Sequence, residues 1–252
     1  MKTNNKTAFI TGANRGLGFE TARELGEQGI HVVLGARDLA SGEAAARLLQ
    51  DKGIPAAAIR FDVLKPEDHQ AAFAYFEQHH GRLDILVNNA GFLYKPESAF
   101  NGDTPVNHTS TASPEILKQT FDINFFAPVA LTQTLLPLIR KSPAGRIVNL
   151  SSILGSLTLH ADPASPIYHM KTLAYDASKA ALNVFTIHLA HELRDTNIKV
   201  NSAHPGWVKT ELGGPNAPME VSEGGKTSAQ LATLPANGPT GGFFHLGQRL
   251  PW

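Results

Sequence analysis

A chain of 252 residues that is 42% hydrophobic can bury a sizeable core, enough for one large α/β domain or two small ones. Lysines plus arginines number 22, as do aspartates plus glutamates, so no global field points to nucleic acid or to a membrane surface. There is no cysteine, which excludes disulfides, thiol catalysis and cysteine metal sites and agrees with a reducing compartment.

Met1–Lys6 is polar and lacks the apolar core of a signal peptide. No stretch approaches the 18 or so uninterrupted apolar residues of a membrane span, so the expectation is a cytoplasmic protein. Short apolar runs then alternate with helical periods. Strands are expected at Thr7–Thr11, His31–Gly35, Ala57–Phe61, Asp84–Val87, Arg146–Leu150 and Lys199–Ala203. Helices are expected at Leu17–Gln28, Ser41–Lys52, Pro66–His79, Pro114–Arg140 and Ala174–Asp195. Ser113 reads as the N-cap of the long helix, with Pro114 in its first turn, and Pro128 should kink or break it. Such alternation predicts a single α/β domain with a parallel sheet covered on both faces. Three irregular regions, Phe92–Ala112, Leu154–Leu173 and Gly206–Lys226, follow predicted strands. They are candidate substrate walls, because ligands of open parallel sheets lie beyond the strand carboxyl ends.

Two segments carry the chemistry. Between the first strand and the first helix lies Thr11-Gly12-Ala13-Asn14-Arg15-Gly16-Leu17-Gly18. Glycines there permit a tight turn and close approach to phosphate, and a helix amino terminus favours an anion. Later, Tyr175 and Lys179 stand four apart in a helical period, which puts them on one face. A cation beside a phenol lowers its pKa and makes it a usable acid or base near neutral pH.

Gly12-x-x-x-Gly16-x-Gly18, Asn88-Asn89-Ala90-Gly91, a later Ser, Tyr175-x-x-x-Lys179 and Pro205-Gly206 follow one another in this order. The chain thereby resembles the short-chain dehydrogenase/reductase family over nearly all its length. An insert before Tyr175, together with the tail Gly238-Pro239-Thr240-Gly241-Gly242-Phe243-Phe244, looks most similar to carbonyl-reductase-like members. The resemblance implies a Rossmann-type doubly wound fold with seven strands and a nicotinamide cofactor. By it Ser152 is the catalytic serine, Tyr175 the acid and Lys179 its partner. Asn124 matches an asparagine that helps hold a proton-passing water; a purely structural bond is the alternative.

The same resemblance places Asn89, Ala90 and Gly91 along the adenosine side, with Asn88 tying strands. It places Asp62 and Val63 at the adenine, although Asp62 also suits a turn cap. Pro205, Gly206 and Val208 fall near the nicotinamide, and Thr210 near its carboxamide or the pyrophosphate. The position that bears an acid in NAD-specific members is Ala36 here, followed by Arg37, and Arg15 lies in the glycine loop. Two arginines without a carboxylate suit the 2′-phosphate of NADP(H).

Ser152 and Tyr175 are 23 residues apart, wider than the family's usual spacing, so an insert precedes the helix. It contains a second pair, Tyr168 and Lys171, beside Pro163 and Pro166, where helix is disfavoured. His188 and His191 share a helix face without a third ligand, and His204 stands beside the pocket. Phe243, Phe244 and Trp252 read as core or as a contact against a subunit rather than as cofactor ligands. The expected activity is reduction of an aldehyde or ketone by NADPH, in a monomer or homo-oligomer. The alternatives are an NAD-linked alcohol dehydrogenase and a non-catalytic NADP(H)-sensing regulator.

Overall fold

A computed structural model describes residues 6–94 and 109–252 of the chain. The apolar runs form an eight-stranded sheet in the order β3-β2-β1-β4-β5-β6-β7-β8. Its strands are β1 Thr7–Thr11, β2 His31–Ala36, β3 Ala56–Arg60, β4 Ile85–Asn88, β5 Arg146–Leu150, β6 Lys199–Ala203, β7 Phe243–His245 and β8 Gln248–Arg249. All neighbours are parallel except the last pair. The first six strands fall within a residue of the sequence expectation. The eighth, beyond the expected seven, comes from a two-residue hairpin at Leu246-Gly247, where φ is +45° and +83°. Leucine at the first turn position hides the usual Asn-Gly or Asp-Gly signal.

Helices α1 Gly16–Gly26 and α2 Leu39–Gln50 cover one face, joined by α8 Val221–Gly224 and α9 Lys226–Ala232. Helices α3 Pro66–His80, α4 Pro114–Phe121, α5 Ala127–Ile139 and α7 Leu173–Glu192 cover the other. The short α6, Leu157–Ala161, lies inside the Leu154–Leu173 region. Sequence patterning left that region, Gly206–Lys226 and the last strands without assigned elements. The greater part of the Phe92–Ala112 region lies outside the described residues.

Ser113 caps α4 as expected, accepting from the Ile116 N–H. The break at Pro128 takes a specific form. Between α4 and α5 the chain makes one π turn over Asp122–Phe126, and the Ala127 N–H donates five residues back to the Asp122 carbonyl. Proline has no N–H to return to the carbonyl of Asn124, and a π turn accommodates that loss. The run Pro114–Ile139 is long and apolar enough, by composition, to cross a bilayer. In the fold, Leu131, Leu135, Leu138 and Ile139 of this run are core residues packed with Phe9, Phe76 and Leu86.

A polar ladder crosses the middle of the sheet. Asn88 Nδ2 donates to Asn149 Oδ1 (2.8 Å) and Thr132 Oγ1 (3.0 Å), and Asn149 Nδ2 donates to Thr186 Oγ1 (2.8 Å). Ser202 Oγ continues the chain to Thr186. It joins β4, β5 and β6 to α5 and α7 in the buried interior, where a lost partner strands a desolvated group. Asn149→Ala should therefore cost about 2–3 kcal/mol in urea unfolding.

Candidate active site

The order β3-β2-β1-β4-β5-β6 reverses direction between β1 and β4, and a crevice opens at the strand carboxyl ends there. Asn89 holds the crevice in shape. Its N–H donates to Thr11 Oγ1, and its amide Nδ2 donates to the carbonyls of Thr11 (2.7 Å) and Gly12 (3.2 Å). The Ala90 N–H also donates to Thr11 Oγ1. Gly12 and Gly16 have φ of +64° and +58°, where a side chain is strained. A Cβ on Gly18 would come within 2.5 Å of Asn89 Nδ2 and 2.6 Å of the Gly12 carbonyl oxygen. One on Gly16 would meet nothing within 4 Å, so the loop is open on the side from which a phosphate would approach. Helix α1 starts there, and Arg15, its N-cap, leaves the first-turn N–H groups without a side-chain cap.

A cavity of about 1360 Å³ runs from this loop to the end of β5. It is lined by Gly12, Asn14, Arg15, Gly16, Leu17 and Gly18, and further along by Arg37, Asp62 and Val63. Asn89, Ala90 and Gly91 form its floor, and Pro205, Gly206, Val208 and Thr210 a side wall. Ser152, Tyr175 and Lys179 close its far end. The donors, the glycine cradle and the size fit a dinucleotide. Arg37 stands exposed at the tip of β2, with no acidic partner among the described residues. Arg15 pairs with Glu211 across the mouth at 2.8 Å, an exposed contact of little strength.

Several expected residues have structural bonds as well. Asp62 Oδ1 accepts from the Leu64 N–H, the turn cap that was its alternative reading. Thr210 Oγ1 accepts from the Gly213 N–H and shapes its own loop. Asn124 is fully buried and does not line the cavity. Its Oδ1 accepts from the Phe92 N–H, and its Nδ2 donates to the Phe92 carbonyl and to Ser178 Oγ. All of these side-chain bonds are structural, which was the alternative reading of this residue.

Tyr175 and Lys179 share one face of α7, and both are buried. The ammonium lies 5.6 Å from the phenol ring centroid, with Nζ donating to the Leu150 carbonyl at 2.7 Å. The electrostatics differ from the sequence expectation. Burial holds the Tyr175 phenol above its usual value; the Ser152 hydrogen bond works downward and the nearby Asp176 upward. Burial also brings Lys179 down to about 8, so it is a weaker cation than spacing alone implied. Desolvation outweighs the pair's attraction.

The insert is stapled to α7, the helix that carries Tyr175 and Lys179. His160 contacts the Leu154 carbonyl through Nε2 (2.9 Å), 3.4 Å from Asp176 Oδ2, and Lys171 Nζ contacts His160 Nδ1 at 3.2 Å. Asp176 accepts from the N–H and hydroxyl of Thr172, the N-cap of α7. Burial raises its carboxyl to about 6. Tyr168 lies outside any helix, with Lys171 Nζ 4.9 Å over its ring, so this second pair plays no part in the cavity. His188 and His191 sit exposed on α7, and Trp252 stacks on the buried Phe243 at 5.7 Å.

A family model described as short chain dehydrogenase matches residues 6–220. The chain belongs to the short-chain dehydrogenase/reductase family. It is similar to Carbonyl reductase [NADPH] 1 of Mus musculus, 31% identical over an alignment taking in 100% of each chain. It is 28% identical to (+)-neomenthol dehydrogenase of Capsicum annuum, over 96% of each. Among solved structures, the NADPH-bound carbonyl reductase from chicken fatty liver superposes with a TM-score of 0.82 at 25% identity, covering 98% of this chain and 99% of that one. Salutaridine reductase from Papaver somniferum gives a TM-score of 0.80 at 27% identity, with 95% and 99% covered.

Sequence reading missed the apolar wall of the cavity, made by Ile153, Ile167, Met170, Trp207 and Leu212. These residues have no motif; only their place in two of the irregular regions, Leu154–Leu173 and Gly206–Lys226, or at the edge of the first, marks them. It also missed Asp176. Removing its carboxylate leaves the Thr172 N–H without its acceptor in the turn that carries Tyr175. Asp176→Ala should lose about 1–2 kcal/mol in urea unfolding, and Asp176→Asn, which keeps one acceptor, less than half of that.

Proposed function

We propose that this NADP(H)-dependent oxidoreductase reduces an aldehyde or ketone to an alcohol, with Tyr175 as the proton donor. One observation carries the reading: a single cavity joins the glycine loop and Arg37 to Ser152, Tyr175 and Lys179. Arg37 follows Ala36, where a ribose-binding acid would stand, and is placed to meet a 2′-phosphate. Arg15 is the second such group, because an exposed ion pair with Glu211 yields readily to a doubly charged anion. When bound, the cofactor supplies the hydride for the carbonyl carbon.

The chain's own residues manage the proton. A phenol held above its usual pKa is fully protonated near neutrality, which is the form an acid catalyst needs. The Ser152 hydroxyl, already bonded to the phenol, is positioned to stabilise the oxygen as negative charge develops there. Lys179, brought to about 8, exchanges a proton close to working pH and can restore the phenol. Its bond to the Leu150 carbonyl fixes the ammonium between strand end and helix. The apolar walls exclude water from the reacting carbonyl.

Two measurements test this. NADPH should bind at least about tenfold tighter than NADH in a fluorescence titration, and Arg37→Ala should abolish most of the difference; equal affinities in the wild type would refute the assignment of Arg37. Tyr175→Phe should lower turnover about a thousandfold or more while NADPH still binds. Because the phenol pKa is raised, carbonyl reduction should be flat between pH 6 and 8. Alcohol oxidation, which needs the phenolate, should rise with pH over the same range.

A further inference from the structure

Among the polar side chains that line the cavity, His204 has no part in the scheme above. His204 follows β6 directly, and β6 pairs with β5 so that Leu150 faces Ala203. Ser151 and Ser152 therefore emerge beside His204. The imidazole is fixed by its surroundings. Its Nδ1 accepts from the Ile153 N–H at 3.2 Å, while the next amide, that of Leu154, donates to Ser152 Oγ, also at 3.2 Å. The His204 backbone is tied as well, its N–H donating to the Phe244 carbonyl and its own carbonyl meeting His245 Nδ1 at 3.0 Å.

An Nδ1 that accepts a backbone N–H must be unprotonated, so in the neutral ring the hydrogen sits on Nε2. Burial and the neighbouring His245 pull the ring down to about 3, so it stays neutral throughout the working range. Nε2 has no protein partner among the described residues and is not among the buried orphan atoms, and the ring lines the cavity. The result is a fixed neutral N–H donor facing the pocket, adjoining the serine that meets the reacting oxygen. Ile153, Ile167, Met170 and Trp207, which line the same cavity, give it a largely apolar surface.

A donor in such a wall is desolvated when substrate enters, and it penalises any ligand that brings no acceptor. We propose that His204 Nε2–H binds a second oxygen of the substrate, and that the preferred substrates are α-oxygenated carbonyls: 1,2-dicarbonyls or α-hydroxy ketones with an apolar or aromatic body. The inference rests on the reductase reading. Ser152 and Tyr175 take the oxygen that is reduced, the adjacent oxygen accepts from His204, and that second oxygen leaves the reaction unchanged.

Two variants separate the two sides of the ring. Asn at 204 reproduces the Nδ1 side, keeping an acceptor for Ile153 while removing the pocket donor. Gln reproduces the Nε2 side, keeping a donor and giving up the acceptor. The test reads kcat/KM by NADPH absorbance for a dione, 1-phenyl-1,2-propanedione, and for an aldehyde, 3-phenylpropanal. Comparing the dione-to-aldehyde ratio of each variant with that of wild type cancels intrinsic reactivity. H204N should lower this ratio about tenfold, chiefly by raising KM for the dione, and H204Q should keep it within about threefold of wild type. A parallel fall for both substrates in H204N, or no change for either, would mean that His204 only braces the Ser152 turn, and would overturn the proposal. If H204N fails to fold, a ratio lost in H204Q, with NADPH still bound, overturns it equally. Wild type that binds NADPH but reduces neither compound would defeat the reductase reading first, a result distinct from both.

Discussion

The amide contact between Asn88 and Asn149, 2.8 Å long and sealed inside the sheet, sets the level at which the central strands end. Thr186 and Ser202 carry the same constraint on to α7 and β6. Polar groups without water must satisfy one another, and a one-residue slip of any strand would break several of these bonds at once. With register fixed, three segments leave the sheet side by side: Asn89–Gly91, Ser151–Ser152 and His204–Gly206. Each brings a different part of the site, and none would meet the others if β4, β5 and β6 ended at different heights. The ladder also reaches α7, the helix that presents Tyr175 and Lys179.

Burial then acts on that helix in two opposed ways. It disfavours charge on both Tyr175 and Lys179, pushing the phenol up and the ammonium down to about 8. The two shifts suit reduction. In the proposed reaction a neutral phenol would give its proton, and an ammonium whose pKa lies near neutrality would replace it. Spacing alone foretold a cation that lowers the phenol's pKa and makes it a usable acid or base near neutral pH. That picture omits the cost of keeping charge in a dry site, and here the cost outweighs the attraction.

Much of this was legible from the residues because it is written locally. The glycine loop needs left-handed backbone at Gly12 and Gly16, the Tyr–Lys spacing needs only a helix, and strand runs of Val, Ile, Leu and Ala announce a buried parallel sheet. The break at Pro128 was foreseen, but not its form, because a π turn depends on how Asn124 must face Phe92 and Ser178. The eighth strand was invisible because Leu246 adopts a conformation that leucine rarely does. The side-chain partners of Asn124, which are Phe92 and Ser178, were beyond reach, because hydrogen bonds between residues distant in sequence are decided by packing, which no single window records.

The insert before α7 shows the same principle at the substrate end. Ile167 packs with Leu93, Leu154 and Tyr175 in one small core, with Ile153, Leu159 and Met170 against it. The wall that would select substrates is therefore continuous with the ring that would protonate them. Lys171 contacts His160, whose ring meets the Leu154 carbonyl and also Asp176. A substitution in this wall cannot be confined to specificity, because any shift of Ile167 or Met170 is felt at the phenol against which they pack. Conversely, the insert gains a fixed shape from the same contacts, though it has only one short helix of its own. A cavity wall that leans on Tyr175 needs little secondary structure to be rigid.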